Sequence, residues 1–275
     1  MQFIEYLKAL FLGIVEGITE WLPISSTGHM LLVDEFLHLN VTDSFKNMFL
    51  YVIQLGAILA VVLLFWKKMW PFGVKEKGGI LIKKDIFTVW FKVVLACVPG
   101  TVVTLLFDDW IEAHFSAPVV IALALIVYGV AFIVIEGRKK KKPRVRALDE
   151  ISWRDALYIG LFQVLSVIPG TSRSGATILG ALLIGVSRVA AAEFTFFLAV
   201  PVMFGMSAIK LLSFDFAFQP GELGILLVGT LTAFFVSLAC VKFLMNYIKK
   251  HDFRIFGAYR ILLGIVVLLV FLVIL

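Results

Sequence analysis

Charge is scarce in this sequence. Asp, Glu, Lys and Arg make up 16% of its 275 residues, against about a quarter in an ordinary soluble domain. Hydrophobic residues make up 61%, and the mean hydropathy of +1.02 is that of a chain dissolved in a bilayer rather than in water. Cysteine is nearly missing. Cys97 and Cys240 both stand in apolar runs and read as small buried hydrophobes, so neither a disulfide framework nor a cysteine-built metal site is expected. Ten-residue segments of alternating polarity are absent, which argues against an outer-membrane barrel. No GxxxxGK[ST] phosphate loop is present. The opening MQFIEYLKALFLGIVEGITEW lacks a basic leader and a small-residue cleavage site, and it carries acids inside its apolar stretch. It reads as part of the mature fold. The net charge of +6 sits in short loops beside apolar runs, a pattern that sets orientation in a membrane and implies no nucleic-acid partner.

What is present is a set of long apolar runs. A spanning helix needs about 20 mainly apolar residues, and six stretches qualify: 47–66, 87–107, 117–137, 190–212, 222–245 and 255–275. Two further regions are apolar but broken. Region 3–36 is interrupted by EGITEWLPISSTGH and region 155–187 by IPGTSRSGAT. Each has two short arms, roughly 10–15 residues long against the ~20 of a crossing, around a Pro/Gly/Ser turn. That is the pattern of a re-entrant hairpin, whose irregular backbone must be buried in protein or line a cavity.

Loop charge orders these elements. Loop 67–86 carries Lys67, Lys68, Lys75, Lys77, Lys83 and Lys84; loop 138–154 contains RKKKKPRVR and Arg154; loop 246–254 has Lys249, Lys250 and Arg254. Loops 108–116 and 213–221 have no Lys or Arg and carry Asp108, Asp109, Glu112 and Asp215. Basic and non-basic loops alternate, so 67–86, 138–154 and 246–254 are expected in the cytoplasm and both termini outside. At an offset of 147, Gly13 matches Gly160, Glu16 matches Gln163, Pro23 matches Gly170, Ser25 matches Ser172, Thr27 matches Ser174 and Gly28 matches Gly175. Each half is one hairpin plus three spans, and three is odd. The expected fold is therefore an all-α integral membrane protein with an inverted-topology repeat: 1–137, a basic connector 138–154, and 155–275. Such repeats place a shared site near the midplane.

The chemistry gathers in the two breaks. Glu16 and Glu20 are spaced i, i+4 and share a helix face. Pro23 ends that arm, and Ser25 or Ser26 can cap the next helix, with His29 one turn in. In the second break Pro169 and Gly170 turn the chain, Thr171 or Ser172 caps, Arg173 stands in the first turn and Thr177 one turn on. Two helix N-termini facing each other make an anion site, and the fork of Arg173 matches phosphate oxygens. The paired carboxylates suit a divalent cation or a base. The expected ligand is a phosphate or pyrophosphate reached from within the membrane. Intramembrane Glu, Arg and His are costly and point to function. Glu193, Lys210 and Lys242 lie near boundaries and are expected to snorkel. Arg260, in FGAYRI, either snorkels or reaches the phosphate pocket.

The motifs EGITEWLPISSTGH and PGTSRSGAT, with the late FGAYR, together resemble the bacitracin-resistance family of undecaprenyl-pyrophosphate phosphatases over nearly the whole chain. The resemblance implies hydrolysis of undecaprenyl pyrophosphate to the monophosphate and inorganic phosphate, recycling the carrier lipid for peptidoglycan synthesis. It implies Mg²⁺ or Ca²⁺ dependence, a bacterial inner-membrane location and a site open to the periplasm. Carried over, Ser26 is the candidate nucleophile with Ser25 close behind, His29 or Glu20 the base, and Arg173 the group that stabilises the transferred phosphoryl. Ser25, Thr27, Ser172, Arg173, Ser174, Thr177 and Arg260 would bind phosphate, and Glu16 and Glu20 the cation. Direct attack by water is compatible with the same residues. Membrane lipids, and a second copy in a homodimer, are the other expected partners. Lipid phosphatases of the phosphatidic-acid type are set aside because the next histidine after Arg173 is His251, too far to be their nucleophile. The competing reading is a transporter or flippase of polyprenyl phosphate, since inverted repeats with broken helices also build transporters.

Overall fold

A computed structural model describes residues 2–74, 80–138 and 142–274. Lys75, Lys77 and residues 139–141, counted above among the loop charges, lie outside the described residues. The first broken region folds as helices α1 (Gln2–Thr19) and α2 (Ser26–Phe36). Helix α3 (Asp43–Leu64) is followed by the short α4 (Trp66–Met69) and a two-stranded antiparallel ribbon, β1 (Phe72–Val74) and β2 (Ile80–Ile82). Helices α5 (Lys84–Phe115) and α6 (Pro118–Gly137) complete the first half. The second broken region gives α7 (Trp153–Val164), a 3₁₀ turn and α8 (Arg173–Leu183). Helices α9 (Arg188–Leu212), α10 (Glu222–Ile248) and α11 (Arg254–Leu269) follow, α11 running on as a π-helical turn to Ile274.

Among the described residues, six helices are long and apolar enough to cross a membrane. They are α3, α5, α6, α9, α10 and α11, the same six runs picked out by hydropathy. Large apolar side chains such as Phe91, Leu105, Leu106 and Leu212 stand fully outward, as lipid-facing residues do. The fold is that of an all-α integral membrane protein.

Three details differ from expectation. Residues 108–115 continue α5 rather than forming a loop. The stretch DDWIEAHF contains no Gly or Pro to stop a helix, and the stop comes where Pro118 disfavours helical backbone at Ala117 and opens α6 as its first residue. His114 in the last turn interacts favourably with the carbonyl end of the helix and stacks on Trp110 at 4.5 Å. Helix α1 has 18 residues, longer than a half-span. Glu193 does not snorkel: it is buried and ion-paired with Lys68 at 2.6 Å, because α4 folds the lysine back over α9.

The main helix pairings run across the length of the chain. α1 packs on α10 as α7 packs on α5, and α6 packs on α11. At the α6–α11 crossing, a Cβ on Gly129 would lie 2.6 Å from the Gly257 carbonyl, and one on Gly257 would lie 2.6 Å from the Gly129 carbonyl. Backbone meets backbone there, as small residues permit in membranes. The basic connector is tied to the second half. Arg144 N donates to Gly185 O at 2.8 Å, Ser187 N donates to Val145 O at 2.8 Å, and Arg144 pairs with Asp155.

Candidate active site

The two breaks fold alike. Ser25 (φ 74°, ψ 102°) and Ser172 (φ 70°, ψ 124°) are the N-caps of α2 and α8. Both hold a backbone conformation costing of order 1–3 kcal/mol in a non-glycine residue. Each side-chain oxygen accepts from the backbone three residues on, Gly28 N at 3.3 Å and Gly175 N at 3.2 Å. Of the alternatives open in the sequence, Ser25 and Ser172 are the caps, which leaves Ser26 and Arg173 as the first residues of their helices. Trp21, fully buried, packs edge-on against Phe196 at 5.4 Å and anchors the first turn on α9.

The hairpins meet at Glu20. Its Oε2 accepts from Ser26 Oγ at 3.0 Å, and its Oε1 accepts from Arg173 Nη2 at 2.9 Å. One carboxylate thus joins the hydroxyl of one hairpin to the guanidinium of the other. Ser174 Oγ donates to the Glu20 carbonyl at 3.2 Å and lies 3.2 Å from Ser172 Oγ. Arg173 also donates from Nη1 to Thr195 O at 3.2 Å and approaches Met203 Sδ at 3.7 Å, so α9 fixes its far side.

Glu16 is buried one turn below Glu20, and its Oε1 has no hydrogen-bond partner among the described residues. Gln163, 147 residues on, is likewise buried with Oε1 unpartnered among them. Thr177 points to the back of its helix. It is fully buried, donates to Arg173 O at 2.9 Å and meets Thr195 Oγ1 at 2.9 Å. Thr27 is exposed at the start of α2.

Arg260 neither snorkels nor points into open space. It is fully buried, with Nη1 donating to Pro23 O at 3.2 Å and Nη2 to Gly170 O and Thr171 O, both at 2.8 Å. The guanidinium lies over the Tyr128 ring at 5.5 Å. Gly170 is where the backbone needs glycine: its φ is 89°, and a Cβ there would come within 2.5 Å of Ile121 O. One arginine from α11 therefore clamps the turns of both hairpins.

His29 has both ring nitrogens engaged, Nδ1 with Ser25 O at 2.7 Å and Nε2 with Tyr259 Oη at 2.8 Å. Ser26 donates to Glu20 and not to His29. Sequence reasoning missed Tyr259, Thr195 and Met203. FGAYR offered a signal for the first, but a tyrosine near a helix start reads as an interfacial anchor. Nothing in one sequence brings α9 to Arg173.

The profile of the family "Bacitracin resistance protein BacA" matches residues 9–266. The chain is 66% identical over 271 residues to an undecaprenyl-diphosphatase of Enterococcus faecalis, covering 98% of each. It is 61% identical over 268 residues to one of Lachnoclostridium phytofermentans, covering 97% of each. It is 56% identical over 276 residues to undecaprenyl-diphosphatase 1 of Clostridium acetobutylicum, covering 100% of each.

Proposed function

The chain belongs to the bacitracin resistance protein BacA family, and from that premise we propose that its two hairpins form the phosphate-handling centre of an undecaprenyl-diphosphatase. The enzyme hydrolyses undecaprenyl diphosphate to undecaprenyl phosphate and inorganic phosphate. This returns the carrier lipid to cell-wall synthesis and removes the diphosphate form that bacitracin binds.

The observation that carries the assignment of roles is Glu20 bridging Ser26 and Arg173. A serine hydroxyl is a weak nucleophile until a base takes its proton, and Glu20 is already its acceptor. Ser26 Oγ attacks the terminal phosphorus, its proton passes to Glu20, and the bond from that phosphorus to the bridging oxygen breaks. Undecaprenyl phosphate leaves, and water then hydrolyses the phosphoserine to give inorganic phosphate and free Ser26. Arg173 stabilises charge on the transferred group. Backbone N–H groups at the starts of α2 and α8, with Thr27 beside them, add donors. Ser25, Ser172 and Ser174 hold those two starts in place. Thr177 and Arg260 support the centre from behind.

Glu16 and Glu20 suit a hard cation. The unpartnered buried oxygen of Glu16 is the kind of ligand that Mg²⁺ or Ca²⁺ takes. Among the described residues no cluster of three or more His, Cys, Asp or Glu is placed to hold a metal. The remaining ligands would be phosphate oxygens and water, the usual way Mg²⁺ is held. The cation would neutralise phosphate charge. The two halves are inverted repeats, a reading supported by the paired caps, the mirrored helix contacts and the alternating loop charge. The family resemblance further implies an inner-membrane enzyme whose centre opens to the periplasm.

The test is phosphate release from undecaprenyl diphosphate by purified protein in detergent, with Mg²⁺, with Ca²⁺ and with chelator. Metal-dependent release by the wild type, lost in Ser26→Ala and Arg173→Ala, is expected. Release that survives Ser26→Ala would move the nucleophile to water, and no release by folded wild type would overturn the assignment.

A further inference from the structure

Neither nitrogen of His29 faces Ser26, which leaves an ionisable group in the centre without a task. Its surroundings define one. The partner of Nδ1 is a backbone carbonyl, Ser25 O, 2.7 Å away. A carbonyl only accepts, so Nδ1 carries a proton in either charge state of the ring. The only nitrogen at which His29 can gain or lose a proton is then Nε2, and Nε2 is covered by the Tyr259 hydroxyl at 2.8 Å. The two rings lie nearly parallel, 7° apart in plane, with centroids 5.6 Å apart. Tyr259 is 42% exposed, whereas its neighbour Arg260 is fully buried in the clamp on both turns. The clamp fixes where α11 sits, and so fixes where the tyrosine meets the histidine.

We propose that Tyr259 is a positioning residue for His29: its hydroxyl holds the imidazole with Nδ1 protonated and carries proton exchange between Nε2 and the open side of the phosphate centre. In the neutral state Tyr259 O–H donates to Nε2. When a proton arrives at the phenol oxygen, the phenol passes its own proton to Nε2 and remains a neutral phenol, and the ring becomes imidazolium. Reversal returns the proton. The phenolate is never formed, so the relay works far below the ordinary tyrosine pKa of about 10. A histidine so wired exchanges protons with the water and phosphate species of the centre, while Glu20 serves Ser26.

The inference rests on the phosphatase reading of the centre. Its test compares wild type, Tyr259→Phe, His29→Gln and the double variant in phosphate release from undecaprenyl diphosphate between pH 5 and 9, with thermal unfolding measured alongside. Tyr259→Phe removes one exposed oxygen and keeps the ring. The expected result is a kcat lower by roughly 10- to 100-fold with KM within about twofold, the scale of losing a partner that orients a reacting group. The pH dependence of kcat should also change shape, because an ionisation seen in the wild type belongs to His29 in its tyrosine bond. In the His29→Gln background, Tyr259→Phe should cost nothing further, since the tyrosine acts through the histidine. Four results would overturn the proposal: unchanged kcat and pH profile in Tyr259→Phe, an equal loss in the His29→Gln background, a loss confined to KM, or a fall in unfolding temperature that accounts for the lost activity. An inactive wild type would instead remove the phosphatase reading beneath it.

Discussion

Arg260 separates two accounts of the same residue. As a clamp, it satisfies the carbonyls of Pro23, Gly170 and Thr171, which lie in the turns of both hairpins and are shielded from water. Arg260→Met keeps much of the length and volume and removes all three bonds. A buried polar group left without its partner costs about 1–3 kcal/mol, so even the low end of that range sums to about 3 kcal/mol over three carbonyls. For a chain of this size, 1 kcal/mol moves the unfolding midpoint by roughly 2–4 °C, giving a fall of about 6–12 °C. Differential scanning fluorimetry of the purified protein in detergent measures it, and phosphate release on the same samples measures activity. The clamp account predicts that stability and kcat fall together. Arg260→Lys should recover little, because one ammonium cannot reach both turns as a fork does. A midpoint within about 2 °C of wild type, together with a KM raised tenfold or more, would refute the reasoning and make Arg260 a ligand of the substrate phosphate.

Two further outcomes follow from the same geometry. Thr177→Val leaves Thr195 Oγ1 without its buried partner and should lower stability by about 1–3 kcal/mol with KM within twofold. Thr177→Ser keeps the hydroxyl and should behave as wild type in both measurements. Glu16→Gln should raise the Mg²⁺ concentration giving half-maximal activity by roughly tenfold or more, read from a metal titration with the unfolding midpoint held as a control; an unchanged titration curve would place the cation elsewhere.

The sequence carries much of this fold because hydropathy and loop charge are long, redundant signals. Six apolar runs give six helices, and the two polar breaks give the two hairpins. It also carries the matching of Ser25 with Ser172, because both caps perform the same backbone task. The boundaries it misses depend on local stops. Residues 108–115 look like a loop by charge, yet nothing in DDWIEAHF ends a helix before Pro118. Glu193 looks like a boundary residue until α4 delivers Lys68 to it. The site is divided in the same way. Ser26, Glu20 and Arg173 stand out as costly polar groups in apolar surroundings. What holds His29, and whether Arg260 faces a ligand or two backbone turns, depends on contacts made across 230 residues for His29 and Tyr259 and across 237 for Arg260 and Pro23. Spacing along one chain carries no such information.

The account stands on the two hairpins acting as one catalytic unit through Glu20. The measurement to make is a double-mutant cycle on kcat/KM for phosphate release, with Glu20→Gln, Arg173→Lys and the pair. The account predicts strong non-additivity, the double variant being little worse than the more damaged single variant, because each change breaks the same bridge. Losses that simply multiply would mean that Glu20 and Arg173 work independently, and would contradict a single centre built from both hairpins.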